Sequence, residues 1–363
     1  MKTLPKLTAL CFSLLFAIDA NAKSNFEVIA ELDSGPGNVT ATENGRIIMS
    51  LHQFYKPKFS VVEYDYNGLV PFPNKELADV DSKAPLKLDS VLGIRSANGI
   101  VWMLDNGMRS GVTPKLVGWD TKANKLHQVI MLPSPITPKD AFVNDFAIDT
   151  RHNQIFISDP AGGTNAGLIV VNLNSGKARR VLEGHNSVLP ENVDLIIDKT
   201  PIQVVDKAGK LDRPHIGVNP ITEDLNNEWV YFGPMHGHSL YRIKAEDLAN
   251  ENLSSKALAS SVERYSDKPI SDGITIDKDN NIYLGELAEN AIGVISSDRK
   301  YRKLAQCPRL SWVDSLSFGP NGKLYAVVNR LHQSATLNGG VLTAKPPFYL
   351  LRVNAIAPGM SGR

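Results

Sequence analysis

Six short hairpins of one design follow each other along this chain, and that repetition constrains its fold more than any other property. Each copy has a polar residue, an alternating apolar strand, a turn built on Asn, Asp or Gly, and a second apolar strand. The copies read NVTATENGRIIMS from Asn38, DSVLGIRSANGIVWML from Asp89, NDFAIDTRHNQIFIS from Asn144, IGVNPITEDLNNEWVYFG from Ile216, DGITIDKDNNIYLG from Asp272 and DSLSFGPNGKLYAV from Asp314. Matching residues of the second strands (Ile48, Trp102, Phe156, Tyr231, Tyr283, Tyr325) are spaced by 54, 54, 75, 52 and 42 residues. A period in this range with a hairpin in every copy predicts an all-β, six-bladed β-propeller. Such a ring gathers the equivalent residue of every blade around one channel, so the repeat also says where a site should lie.

The remaining parts of each blade are legible as well. Third strands are expected at 59–64, 115–119, 168–173, 239–243, 291–295 and 348–353, all short and rich in β-branched or aromatic residues. The hairpin turns carry Asn44-Gly45, Asn98-Gly99, His152-Asn153, Asn226-Asn227, Asn280-Asn281 and Asn321-Gly322, residues that accept the positive φ of a tight turn. The alternating segment FEVIAEL from Phe26 is left over, and placing it as the outermost strand of blade six closes the ring. Helices are scarce, with one turn expected over 244–248. The long step before blade four holds an extra segment, residues 189–214, punctuated by Pro190, Pro201 and Pro214. It reads as an outer strand plus a surface excursion; the alternative is a degenerate seventh blade.

At 363 residues with 42% hydrophobic content the chain can bury a large core. A formal charge of +1, from 39 basic and 38 acidic residues, gives no electrostatic case for nucleic acid or an anionic membrane surface. Lys2 and Lys6 precede an apolar run over 7–18, and Ala20-Asn21-Ala22 supplies small residues for cleavage after Ala22. This predicts a signal peptide over 1–22 and a single propeller domain over 23–363, secreted or periplasmic, with no membrane attachment after cleavage. Cys11 falls in the signal, so Cys307 would be alone in the mature protein, without an internal disulfide. The expected partner is a small molecule, and the expected state a monomer.

Polar residues standing just before the inner strands are Asp89, Asn144, Asp272 and Asp314, with Asn38 in a similar place in blade one and His215 or Ile216 in blade four. Their oxygens converging on one axis would suit a hard divalent cation such as Ca²⁺ or an ordered water cluster. The same residue types before a strand also act as turn caps that bind neighbouring amides, and the sequence leaves both roles open. A second set stands where the second strands end: His52, Asp105, Asp159, His236 with His238, Glu286, and Asn329 with His332. His236 as a general acid or base would need a carboxylate, for which Asp272 and Glu286 are candidates. Trp312 could form a stacking wall for a planar or cyclic ligand. No Walker motif, nucleophile elbow or C-x-x-C is present.

The phrases VNDFAIDTRHNQIFISDPAGGTNAGLIVVNL, GVNPITEDLNNEWVYFGPMHGHSLYRI, SDGITIDKDNNIYLGELAENAIGVI and SWVDSLSFGPNGKLYAVVNRLH resemble the yellow / major royal jelly protein family, with the likeness running over residues 26–353. The resemblance implies a secreted six-bladed propeller from a family that includes insect pigmentation proteins, amine-binding salivary proteins and nutritive glandular proteins, and to which dopachrome conversion is attached. The missing disulfides point to a bacterial relative. More distantly the layout is similar to gluconolactonase-type propellers, which hold a divalent metal through Glu, Asn and Asp. Asn144 and Asp272 match two of those ligand motifs, whereas Gly35-Pro36-Gly37-Asn38 offers no counterpart of the Glu.

Two functions follow as expectations. One is a binding propeller for a small cyclic or aromatic molecule at the channel mouth, with Asp89, Asp105, Glu286, Trp312 and Asp314 as ligand contacts, and with dopachrome-tautomerase-like chemistry through Asp272 and His236. The other is a metal-dependent lactone hydrolase with the metal on Asn144 and Asp272.

Overall fold

The computed structural model describes residues 25–363; the expected signal over 1–22 lies outside them. Six antiparallel four-stranded sheets form the six blades. Their inner strands are Pro36–Ala41, Val91–Ala97, Phe146–Asp149, Val218–Glu223, Ile274–Ile276 and Val313–Phe318, and each blade proceeds outward by hairpins. Every anticipated hairpin turn contains a residue with positive φ: Gly45, Asn98, Asn153, Asn227, Asn280 and Asn321. Asn and Gly enter this region at least cost, which is why they alone recur at the turns.

Phe26–Leu32 pairs antiparallel with Phe348–Val353, so the first strand completes the last blade and closes the ring. The core lies between blades. Phe156, Leu168 and Val170 of blade three pack on Ile221, Val230 and Phe232 of blade four. Val39 and Met49 of blade one meet Tyr325, Val327 and Leu350 of blade six in the same way. Both faces of each sheet are therefore apolar, and shaving one such Leu to Ala is expected to cost about 2–5 kcal/mol.

The segment over 189–214 is not a seventh blade, nor does it hold an outer strand. Blade three is already complete with Ala178–Val181 before it begins. The segment forms two small hairpins instead, Ile196–Ile197 with Thr200–Pro201 and Val204–Val205 with Leu211–Asp212. Gln203 N–H donates to the Leu337 carbonyl at 3.0 Å, and Gly339 N–H donates to the Gln203 carbonyl at 2.9 Å. Leu195, Ile197 and Ile202 bury themselves with Trp312, Leu331 and Leu337. The insertion is thus a roof fastened to the loop that follows blade six's second strand. A helical turn forms at Ala245–Ala249, and a second helix, Ser255–Ser260, follows it without a sequence signal strong enough to anticipate. Among the described residues no helix is long and apolar enough to cross a membrane.

Candidate functional site

Strand register fixes which residues face the channel at one level. The pairs Val39 with Met49, Ile94 with Met103, Phe146 with Ile157, Ile221 with Phe232, Ile274 with Leu284 and Leu316 with Ala326 are equivalent in the six blades. The positions two residues earlier are Gly37, Leu92, Asn144, Asn219, Asp272 and Asp314, and all six line one cavity of about 1030 Å³. Blades three to six therefore present an arc of amides and carboxylates, while blades one and two leave it open with Gly37 and Leu92. Close approach of blades is needed to form the ring. At Gly93 and Gly273 a Cβ would meet the Asn144 and Asp314 carbonyl oxygens at 2.5 and 2.4 Å. In their place the glycine N–H groups donate to those carbonyls at 2.9 and 2.8 Å, stitching blade to blade.

Blades three to five join in one hydrogen-bonded chain, and Asp314 of blade six is held separately. Asn144 Nδ2 donates to Asn219 Oδ1, and Asn219 Nδ2 donates to Asp272 Oδ1. Trp312 Nε1 donates to Asp272 Oδ2 at 2.7 Å, with the indole stacked on His332 at 6.0 Å. Asn329 Nδ2 donates to Asp314 Oδ2. One level deeper Asn38 Nδ2 donates to Asp145 Oδ1 at 2.6 Å, while Asn38 Oδ1 accepts from Arg95 Nη1 at 2.8 Å and Ser315 Oγ at 2.9 Å.

Three buried carboxyls share this region with one guanidinium. Burial, then the charge of Asp145, pushes Asp272 up to about 7. Burial, then Asp272 and Asp145, holds Asp314 well above the usual carboxylate range. Asp145 is raised to about 6 by burial, with Arg95 opposing. Asp272 and Asp314 titrate as a pair, so a proton held near neutrality belongs to both.

The other anticipated residues lie elsewhere. Asp89 and Asp105 do not reach the cavity. Asp105 accepts from Asp89 N–H, Ser90 N–H and Gly107 N–H at 2.8, 2.9 and 3.0 Å and from Lys115 Nζ at 2.7 Å. Asp89 accepts from the Ser110 N–H at 2.9 Å and from its hydroxyl. Both are loop caps; in blade two a bulge between Val91 and Ile94 moves the channel position from Asp89 to Leu92. The same offset, between Val218 and Ile221, puts Asn219 in the blade-four place expected at His215 or Ile216. Blade one's channel residue at this level is Gly37, with Asn38 one step deeper.

Glu286 turns toward the rim of its own blade, where Tyr301 Oη donates to it at 2.5 Å and Lys303 lies 3.7 Å away. His236 is fully buried behind the wall. Its Nδ1 accepts from the Ile216 N–H at 3.2 Å, and burial lowers it to about 3. Its ring neighbour is His215, 5.9 Å away, which faces the cavity and bonds Asp194 at 3.2 Å. Neither Asp272 nor Glu286 partners His236. Asn219, Asp145, Arg95 and Asp194 are not singled out by the sequence; His215 is, as a blade-four channel position, whereas the structure sets it in the cavity wall beside Asp194 of the insertion.

The cavity walls are largely apolar: Phe54, Phe142, Leu189, Met235, Leu331 and Leu337 stand above the polar arc. Among the described residues no three or more His, Cys, Asp or Glu side chains come together as a metal-ligand group. A cation here would draw on the amide oxygens of Asn144 and Asn219 with Asp272 and Asp314. These are hard donors of the type Ca²⁺ prefers.

A family model described as Major royal jelly protein matches residues 92–340. A search of curated proteins finds no match. Among solved structures the chain is similar to a luciferin-regenerating enzyme at 12% identity and TM-score 0.57, covering 93% of this chain and 97% of that one. It is similar to a calcium-binding protein, regucalcin, from Agrobacterium tumefaciens at 13% identity and TM-score 0.56, covering 92% and 96%. A gluconolactonase from Xanthomonas campestris gives 10% identity and TM-score 0.55, covering 90% and 89%. At such identities the likeness is one of fold.

Proposed function

The chain belongs to the major royal jelly protein family, and on that footing we propose that it is an exported propeller that binds a small cyclic or aromatic molecule at the mouth of its channel. The observation that carries this reading is the cavity, with apolar walls and a floor of Asn144, Asn219, Asp272 and Asp314. Apolar rings bury area against Phe54, Phe142 and Leu337, and a few convergent polar groups fix orientation. With Asp272 raised to about 7, the site also holds a proton that can be taken or given at neutral pH. In a dopachrome-type tautomerisation, ionised Asp272 would accept a proton from ring carbon and return it to oxygen, leaving the acid unchanged.

The test is calorimetry and turnover with dopachrome and with its redox-inert indole analogues. Asp272→Asn is expected to lower turnover by about 10²–10⁴-fold, and wild-type turnover to rise with pH through about 7 as the base ionises. Binding without turnover would retain the binding reading and sink the tautomerase one.

A lactone hydrolase is the second reading, favoured by the excess of Asp145, Asp272 and Asp314 over the single Arg95 guanidinium. Asn144, Asn219 and Asp272 would hold a divalent cation, which would supply a Lewis acid for a lactone carbonyl. Ca²⁺ should then raise the melting temperature and chelation lower it; no change with either sinks this reading.

A further inference from the structure

Blade one contributes no side chain at the level of the polar arc, and a histidine just past the end of its second strand takes that sector. A Cβ at Gly37 would stand 3.6 Å from His52 Cδ2, the ring atom bonded to Nε2. His52 and Gly37 line the same cavity as Asp272 and Asp314. His52 Nδ1 accepts the Phe54 N–H at 3.2 Å. A ring nitrogen that accepts carries no proton, so the neutral imidazole has its proton on Nε2. Burial keeps the ring neutral, lowering it to about 3. Phe54 braces it edge-on with ring centres 4.5 Å apart. The tautomer and the ring direction are therefore both fixed, and no acceptor for Nε2–H is present among the described residues.

We propose that His52 is the fixed hydrogen-bond donor of the ligand site, and that its ligand is a cyclic compound presenting a carbonyl oxygen, or the enolate derived from it, to Nε2. The inference rests on the small-molecule reading above and gives that ligand a polarity. Its oxygen faces blade one, and its proton-bearing side faces the acids of blades five and six. A neutral donor opposite two carboxyls also disfavours carboxylate ligands, which Asp272 and Asp314 repel once ionised.

A matched bicyclic pair tests this: isatin, which carries ring carbonyls, and indole, which carries none. Calorimetry on the full chain should show wild type preferring isatin by about tenfold, the worth of one good neutral hydrogen bond. His52→Asn keeps an acceptor for the Phe54 N–H, preserving the local turn, but is too short to reach the cavity as a donor. It should bind indole as wild type does and lose the preference. His52→Gln, whose amide reaches the place of Nε2, should restore most of it. A preference that survives in His52→Asn overturns the inference alone. Wild type binding neither compound overturns the small-molecule reading and this inference with it. Nitrogen-15 NMR of the His52 ring gives a check that needs no ligand: Nε2–H supports the proposal, and Nδ1–H or an imidazolium at pH 7 refutes it.

Discussion

The channel has two ends built from the same material and finished differently. At the far end Glu223 is buried near Asp149 and Asp224, and residues 358–363 fold back to fill the opening. Arg363 Nη1 donates to the carbonyl of Glu223 at 2.7 Å and to that of Asp224, and its Nη2 donates to that of Ile148 at 3.4 Å. The guanidinium lies 3.7 Å from the Glu223 carboxyl. Ser96 N–H and Thr40 Oγ1 both donate to the Gly362 carbonyl at 3.4 Å, and Phe318 N–H donates to that of Arg363 at 2.5 Å. At the cavity end Asp272 and Asp314 have amide and indole donors, the Arg95 guanidinium sits a level deeper, and Arg213 in the cavity wall is paired with Asp194. Buried acids become a lock where a cation and a chain segment close over them. At the cavity end, among the described residues, no such cation and chain segment bond to the acids.

The largest effect should come from opening the lock. Arg363→Ala removes the cation and leaves Glu223 buried without its ion-pair partner, a loss expected to cost about 3 kcal/mol in urea unfolding at pH 7. Glu223→Gln in the same background should recover part of it, since the stranded acid is then gone. A cost below about 0.5 kcal/mol, the size of an ordinary surface change, would mean the tail rests on the channel without locking it.

Asp272→Asn should change stability in the opposite sense. The native carboxyl is raised to about 7, above its unfolded value near 3.8. Between those values the folded state binds more protons, so wild-type stability falls as pH rises from about 4 to about 7. The variant has no such proton to lose. Its profile over that window should be flatter, and at pH 8 it should be more stable than wild type by on the order of 2 kcal/mol. Equal slopes for the two proteins from pH 4 to 7 would place the proton held near neutrality on another residue.

Much of this contrast is legible in the sequence. Blades three and five are regular, and the irregularity of blade six, between Val313 and Ser315, falls behind Leu316, so Asn144, Asp272 and Asp314 all align by counting back from the first inward apolar residue. Blades one, two and four carry a bulge near the start of the inner strand. Counting from Val91 instead of Ile94 selected Asp89, a loop cap, and the same shift hid Asn219. A bulge adds one residue without altering the alternation on either side of it, so periodicity alone does not reveal it. The roof over the cavity was unreadable for a different reason. Its strands are two residues long, and it is held by backbone bonds from Gln203 to a loop more than a hundred positions away. His236 and Glu286 were placed at the correct end of their strands, but whether a strand-end side chain turns to the channel or to the rim depends on the packing of neighbours such as His215 and Tyr301.

The smallest expected effect is also the sharpest probe of the open end. Asp145 is one level below Asp272 and bonded to Asn38, so it touches neither the indole nor the amide that hold Asp272. Its charge is nonetheless among the causes that raise Asp272. Asp145→Asn keeps an oxygen for the Asn38 amide and removes the charge. It also leaves the Arg95 guanidinium without its counter-charge, and that freed positive charge favours ionised Asp272 as well. Both consequences push the same way, so the apparent midpoint of the Asp272–Asp314 pair should fall by roughly one unit in a carbon-13 carboxyl titration. The pH at which any turnover rises should fall with it, while ligand affinity well above that pH stays near wild type. A midpoint that stays put would mean that burial and the mutual repulsion of Asp272 and Asp314 raise these acids without Asp145. The coupling at the open end would then stop at the Asp272–Asp314 pair and not reach one level down the channel.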